Sequence, residues 1–413
     1  MVRPGHPQEM AVGATFGLLI TRDDGAHWYW VCEDALGLEG TFDPDYELTA
    51  GGAFLANTFT GVRISHDGCA WSPVPAPVGT TFVSTMAVGP DDAIYAAMAE
   101  PPETRIFKST DGGATFAPTG ELGEPGDRWG SIEVAPGDAR RVYVTGFRAE
   151  GDNPHQLLLF RSDDGGASWV ELPTAAFVGT DSSTLSIAAI SPVDADRLFL
   201  RVTQTDGTNG EALYLTEDGG TAAPPGPTWT DVLDTFAPID GVAIRHDGTV
   251  WAATDLGDLQ RSTDGGHTFA PVKGVAYEGK CLVERADGLL FLCANDLPPD
   301  SRALASSATG EAGTWIPRLR FADITAPATC SAGGAERDLC TSLWCGLVDQ
   351  LGIHSDVITC KPGTGDAGID AGTTAPAGGG CCDSGGAPPL GEVVLLVALA
   401  LHAPRRVKRP PPR

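Results

Sequence analysis

Short apolar runs of four to six residues recur along the first three-quarters of the chain, separated by clusters of Gly, Asp and Pro. Ser131-Ile132-Glu133-Val134-Ala135-Pro136, Val142-Tyr143-Val144-Thr145-Gly146, Leu157-Leu158-Leu159-Phe160-Arg161 and Trp169-Val170-Glu171-Leu172 read as four consecutive strands. Runs of this length bounded by turn formers are strand-like, and nothing in them has a helical period. Between the third and fourth lies Ser162-Asp163-Asp164-Gly165-Gly166-Ala167-Ser168-Trp169, which recurs nearly unchanged as Ser109-Thr110-Asp111-Gly112-Gly113-Ala114-Thr115-Phe116 and Ser262-Thr263-Asp264-Gly265-Gly266-His267-Thr268-Phe269. Looser copies start at Thr21, Ser65, Thr216 and Ser306, so the intervals are 44, 44, 53, 54, 46 and 44 residues. A repeat of that period predicts one supersecondary unit per copy.

The octapeptide has the chemistry of a hairpin turn. A short carboxylate accepts backbone N–H groups a few residues on, the paired glycines reach positive φ without steric cost, and the hydroxyls satisfy what remains. The closing aromatic starts the next strand and buries its ring.

These repeats resemble Asp boxes, or BNR repeats, as found in sialidases, sortilin-type receptor propellers, xyloglucan-degrading enzymes and a plant photosystem assembly factor. The resemblance covers roughly residues 1–325. It implies an all-β chain: a seven-bladed β-propeller of four-stranded blades, with Asp23, Asp67, Asp111, Asp164, Asp218 and Asp264 as structural turn residues. It implies little about activity, because in those families the boxes lie away from the active site. Units two to seven occupy about 41–75, 83–120, 130–173, 184–234, 239–273 and 280–319, each with four strands, A to D. The first unit enters at its turn. Residues 10–16 read as strand B and 18–21 as strand C, with no strand A before them. Residues 320–325 have a strand-A pattern, and the expectation is that they complete blade one and close the ring.

Charge narrows the partners. Lys and Arg number 27 against 54 Asp and Glu, and five of the positive charges fall in the last nine residues. A surface that acidic repels nucleic acid and anionic lipid, and it suits an exported, soluble protein.

The cysteines suggest export too. Cys281 and Cys293 flank Ala286-Asp287-Gly288, and pairing outward from that hairpin loop sets them opposite each other, within reach of a disulfide. Cys32 and Cys69 lie near the D strands of adjacent blades, where a bridge is possible. Cys330, Cys340, Cys345 and Cys360 crowd a segment, 326–360, that has neither C-x-x-C spacing nor a nearby His pair. Two disulfides in a small module fit better than zinc, with three pairings open, and 336–351 around Trp344 reads as a short helix.

From Lys361 to Gly380 the composition is that of a flexible linker. Residues 381–413 hold Cys381-Cys382, a nine-residue apolar run from Val393 to Leu401, and Arg405-Arg406-Val407-Lys408-Arg409. The run is well short of the roughly 20 residues that span a bilayer. This tripartite tail resembles the MYXO-CTERM class of bacterial sorting signals. The resemblance implies export, contact with the membrane only through the tail, processing near Cys381 and Cys382 by sorting machinery, and display at the cell surface or outer membrane. Residues 1–20 show no signal peptide, so the expectation is a natural start upstream of Met1.

Catalytic motifs are missing. There is no H-E-x-x-H, G-x-S-x-G, Walker loop or G-x-G-x-x-G, and no catalytic residue, metal site or cofactor is expected. Sialidase chemistry needs an arginine cluster and a Tyr–Glu pair; Tyr95, Tyr143 and Tyr214 repeat in register and read as core, and Tyr277-Glu278 are adjacent, the wrong arrangement for a nucleophile and its base. The face carrying the B–C and D–A loops is left as the functional surface. Arg128-Trp129 is its best candidate contact, with the alternative that Trp129 packs under its loop. The reading is a surface-displayed propeller that binds a glycan, matrix polymer or surface protein. The alternative is a glycoside hydrolase of sialidase or xyloglucanase type, which needs two opposed carboxylates.

Overall fold

The computed structural model describes residues 1–38, 44–98, 105–149, 155–174, 182–204, 210–220, 229–275, 277–296, 300–330, 335–353 and 360. They form seven four-stranded sheets, one after another along the chain. Blade four is representative: strand A is Arg128–Val134, B Val142–Arg148, C Gln156–Ser162 and D Val170–Leu172, all antiparallel. The blades pack face on face. Between blades five and six, for example, Phe199, Leu213, Leu215, Ile239 and Val250 form one buried cluster.

The repeated octapeptide turns each C strand into its D strand. Ser262 Oγ accepts the Gly266 N–H at 2.7 Å and donates to Asp264 Oδ1 at 2.7 Å. Asp264 also takes the Thr268 N–H at 3.0 Å and the Thr268 hydroxyl at 2.6 Å. Asp111 and Asp164 repeat the pattern. The Thr115 hydroxyl and N–H and the Ser109 hydroxyl pull the Asp111 carboxyl down to about 2. Gly266 has φ +92°, and a Cβ there would lie 2.2 Å from Phe199 of the preceding blade, so its glycine serves both the turn and the close approach of two blades. In the seventh copy, Ser307 rather than Ser306 leads. Its Oγ takes the Gly310 N–H at 2.8 Å and meets the Thr314 hydroxyl at 2.6 Å, and no carboxylate is needed. Ser262→Ala is expected to cost about 1–3 kcal/mol, because it leaves the buried Gly266 N–H unpaired. A thermal melt checks this, with no shift as the contrary result.

Blade one is closed by both chain ends, but not as the pattern of 320–325 predicts. Its strands are Met10–Ala14, Gly17–Thr21 and Tyr29–Cys32, joined on the outside by Ala326–Pro327 in parallel. Residues Phe321–Asp323 form a 3₁₀ turn instead of a strand. The segment runs along the outer edge because the Thr325 and Ala328 N–H groups bond Trp28 O and Trp30 O at 2.8 and 2.7 Å. Pro327 has no N–H to give, so it suits an edge. The inner position of the blade holds only a bridge between Val2 and Met10, with Met1 and Ala11 exchanging backbone hydrogen bonds.

The cysteine expectations are partly met. Cys281 and Cys293 are directly opposed in blade seven and bonded. Cys32 and Cys69 do not pair with each other. Cys340 bonds Cys32 and Cys330 bonds Cys69, leaving Cys345–Cys360 as the one bridge inside the segment 326–360. The reason is helix α1 (Ala335–Leu351): Cys340 and Cys345 are five residues apart, so they point about 140° apart around its axis. Cys340, Trp344 and Leu347 bury into blade one, with Trp344 6.0 Å from Trp30. Cys381, Cys382 and the linker and tail from 361 lie outside the described residues.

Candidate binding face

With antiparallel strands A to D, the A–B turns and the octapeptide turns emerge at one end of every blade. The B–C turns and D–A connections emerge at the other. Both ends carry ion pairs and exposed apolar side chains, and they differ in which kinds.

The octapeptide end is ion-paired between blades. Arg141 holds Asp163 of its own blade at 2.7 Å and also Asp196 of blade five. Arg245 holds Glu284 of blade seven at 2.8 Å, and His246 shares that carboxylate at 2.8 Å. Arg285 holds Asp287 at 2.8 Å and reaches Asp24 of blade one. These arginines are committed to neighbouring blades, not gathered at one point.

The opposite end carries aromatic and aliphatic side chains. Phe59, in the B–C turn of blade two, is 62% exposed and stands 5.6 Å from Phe82 in the next connection. Phe236, between blades five and six, is 80% exposed, and Leu256, in the B–C turn of blade six, is 73% exposed. Phe16 meets Phe321 edge-on at 5.0 Å, and Phe147 meets His155 at 4.9 Å. Tyr277 lies under the Arg302 guanidinium, which donates to its hydroxyl at 3.1 Å. Val170, Val193 and Ile316 are exposed toward the octapeptide end, so what distinguishes the B–C/D–A end is its exposed aromatic rings, each with a large apolar face to offer a partner.

Trp129 does not belong to that surface. It is fully buried, edge-on to Phe160 at 5.7 Å, in the cluster between blades three and four. Strand A alternates its side chains, so Arg128 faces solvent and Trp129 turns into the blade. Of the pair, only Arg128 stands at the surface as a candidate contact. Tyr95 and Tyr143 are core residues, as their register implies; each donates its hydroxyl to a backbone oxygen of a turn, Gly165 O and Ala195 O. Tyr277 and Glu278 face different partners, Arg302 and Asn295. The sequence reading missed Phe59, Phe236 and Leu256. The available signal was an apolar residue inside a turn, as in Thr58-Phe59-Thr60-Gly61.

The inner strands bring three carboxylates toward one another. Glu47 is on strand A of blade two (Tyr46–Leu48), Glu133 on strand A of blade four, and Asp45 accepts the Met86 N–H of blade three. Burial and the Asp45 charge push the Glu133 carboxyl up to about 8; burial, Asp45 and Glu133 raise Glu47. The largest charges acting on Glu47 and Glu133 are other carboxylates, with the chain's amino terminus opposing the rise at Glu47. A raised carboxyl favours the fold while protonated, and that contribution is lost as pH rises from 4.5 through about 8. Glu133→Gln should therefore remove up to about 1.4 kcal/mol per pH unit of stability loss across that window. Denaturant midpoints at pH 5 and pH 8.5 measure it, and equal pH sensitivity in both proteins would refute it.

Among the described residues no His, Cys, Asp and Glu group could hold a metal ion, and no helix is long and apolar enough to cross a membrane. A cavity of about 50 Å³, lined by Met1, Met10, Val12, Val283 and Phe291, lies between blades one and seven. That is far below the ~300–1,000 Å³ of small-molecule sites.

The fold and these ends define a seven-bladed propeller of four-stranded blades with exposed aromatic rings at its B–C/D–A end. The chain matches no protein-family profile. It is similar to a xyloglucanase of a Paenibacillus species, 24% identical over 232 residues, which is 53% of this chain and 20% of that protein. The chain thus matches about a fifth of the length of this curated relative. Among solved structures it resembles PorZ, a bacterial surface component of the type-IX secretion system of Porphyromonas gingivalis. The TM-score is 0.51, with 16% identity over 75% of this chain and 44% of that one. YCF48 from Cyanidioschyzon merolae gives 0.50, with 15% identity over 71% of this chain and 90% of that one. At these identities the likeness is one of fold.

Proposed function

We propose that this chain is a non-catalytic binding propeller displayed at a bacterial cell surface, and that its B–C/D–A end holds a glycan, a matrix polymer or a surface protein. The observation that carries the reading is the aromatic character of that end: among the described residues Phe59 and Phe236 are exposed there beside Leu256, whereas the large apolar side chains exposed toward the octapeptide turns are the aliphatic Val170, Val193 and Ile316. Loops on a rigid scaffold are where recognition usually sits. The turns at the ion-paired end act as Asp boxes, with Asp23, Asp67, Asp111, Asp164, Asp218 and Asp264 in a structural role. Four disulfides suit an oxidising compartment. The tail acts as a MYXO-CTERM-type sorting signal processed near Cys381 and Cys382.

A glycoside hydrolase is the second reading. It is favoured by the stretch similar to a xyloglucanase and by Glu133, a carboxyl held protonated near neutral pH beside ionisable partners. A glycan array and a panel of fluorogenic glycosides, run on the full chain, separate the two. Retention without turnover is expected. Turnover that disappears in Glu133→Gln would make the protein an enzyme.

A further inference from the structure

We propose that the blade-six corner of this end docks a cationic protein segment bearing an apolar side chain. The inference rests on the B–C/D–A end being the binding face. Two turns meet there: the connection containing Phe236 and Pro238, and the B–C turn containing Leu256. They are tied by a hydrogen bond from Asp255 N to Pro238 O at 3.0 Å. Phe236, Pro238 and Leu256 all lie open to solvent and form one apolar knoll.

The rim of the knoll is made of carboxylates. Asp234 and Asp258 are exposed beside it, and Asp240 and Asp255 are half-buried at its base. Three cations lie close: Lys280 and Arg201 are engaged within the fold, and the exposed Lys273 comes opposite Asp258, one position beyond the Val272 N–H to Leu259 O bond. Lys280 reaches Asp255 and sits 3.6 Å from Asp240. Arg201 donates to Ile239 O and to Ser186 Oγ. Lys273 offsets Asp258, and the four carboxylates against three cations leave one negative charge in surplus around an apolar centre, on the side of Asp234.

That combination selects the occupant. Ionised carboxylates only accept hydrogen bonds, and they bond most strongly to charged donors such as Lys and Arg. A neutral sugar would meet one aromatic ring among acceptors. An anionic lipid surface would be repelled. A Lys/Arg-bearing segment with a Leu or Phe side chain satisfies both the knoll and its rim.

The test is fluorescence anisotropy of the full chain with a labelled nonapeptide of alternating Arg and Leu. Phe236→Ser with Leu256→Ser keeps the charge and should weaken binding about tenfold, equivalent to ~1.4 kcal/mol. Asp234→Asn with Asp258→Asn should weaken it about threefold and flatten its salt dependence. Val193→Ser, at the opposite end, should change nothing. Unaltered affinity in the Phe236/Leu256 variant would show that overall negative charge alone holds the peptide, and the proposal falls. No binding below ~100 μM would also end it. Cellohexaose and the glycan array, run on the same variants, keep the two readings apart. Glycan binding lost with Phe236 and Leu256, without peptide binding, removes the cationic partner and leaves the binding face standing.

Discussion

Replacing Cys32 and Cys340 together by serine is expected to lower stability by about 4 kcal/mol. The bond closes a span of 308 residues, and the chain-entropy cost removed from the unfolded state grows with the logarithm of that span. Cys69–Cys330 already closes 261 of those residues, so the bond removes the entropy of a loop of about 47, the difference between 308 and 261. Helix α1 depends on the bond locally: Trp344 and Leu347 bury beside Cys340 and against Trp30. Guanidinium denaturation without reductant should show a much lower midpoint, and limited proteolysis should release the helix first. An unchanged midpoint would mean that packing alone closes blade one.

Trp129→Ala is expected to cost about 3–5 kcal/mol and to leave ligand binding intact in whatever fraction stays folded. The indole is fully buried between blades three and four, against Phe160, and its removal opens a cavity that strands on both sides cannot collapse into. A thermal melt together with a binding isotherm below the transition separates the possibilities. Normal stability with lost binding would make Trp129 a contact residue.

How far the fold could be read from the residues depended on how local each determinant was. The octapeptide carries its own turn chemistry, so four copies with Ser or Thr, Asp and paired Gly, and three looser ones at similar intervals, mark seven turns and from them seven blades. Cys281 and Cys293 could be paired because a hairpin fixes its own register. Blade-one closure could not be placed, because residues 320–325 carry a strand-like pattern that does not say which edge of the blade they meet. The parallel edge beside Tyr29 and Trp30 is set by long-range contacts and by Pro327. The partners of Cys330 and Cys340 were hidden for the same reason: they sit about 260 and 310 residues away. At the candidate site, Trp129 and Phe236 look alike in sequence, one apolar ring beside a loop. Strand alternation buries the first, while the second stands exposed in a short connection.

The claim on which the account turns is that the B–C/D–A end binds and does not catalyse. The direct measurement compares the wild-type chain with the Phe59→Ser, Phe236→Ser, Leu256→Ser variant on one array of glycans and surface-protein peptides, beside the fluorogenic glycosides. All three side chains are exposed, so the variant should melt like the wild type. The account predicts that it loses retention at least tenfold, and that neither protein turns over substrate. Equal retention by both, or turnover by either, would contradict it.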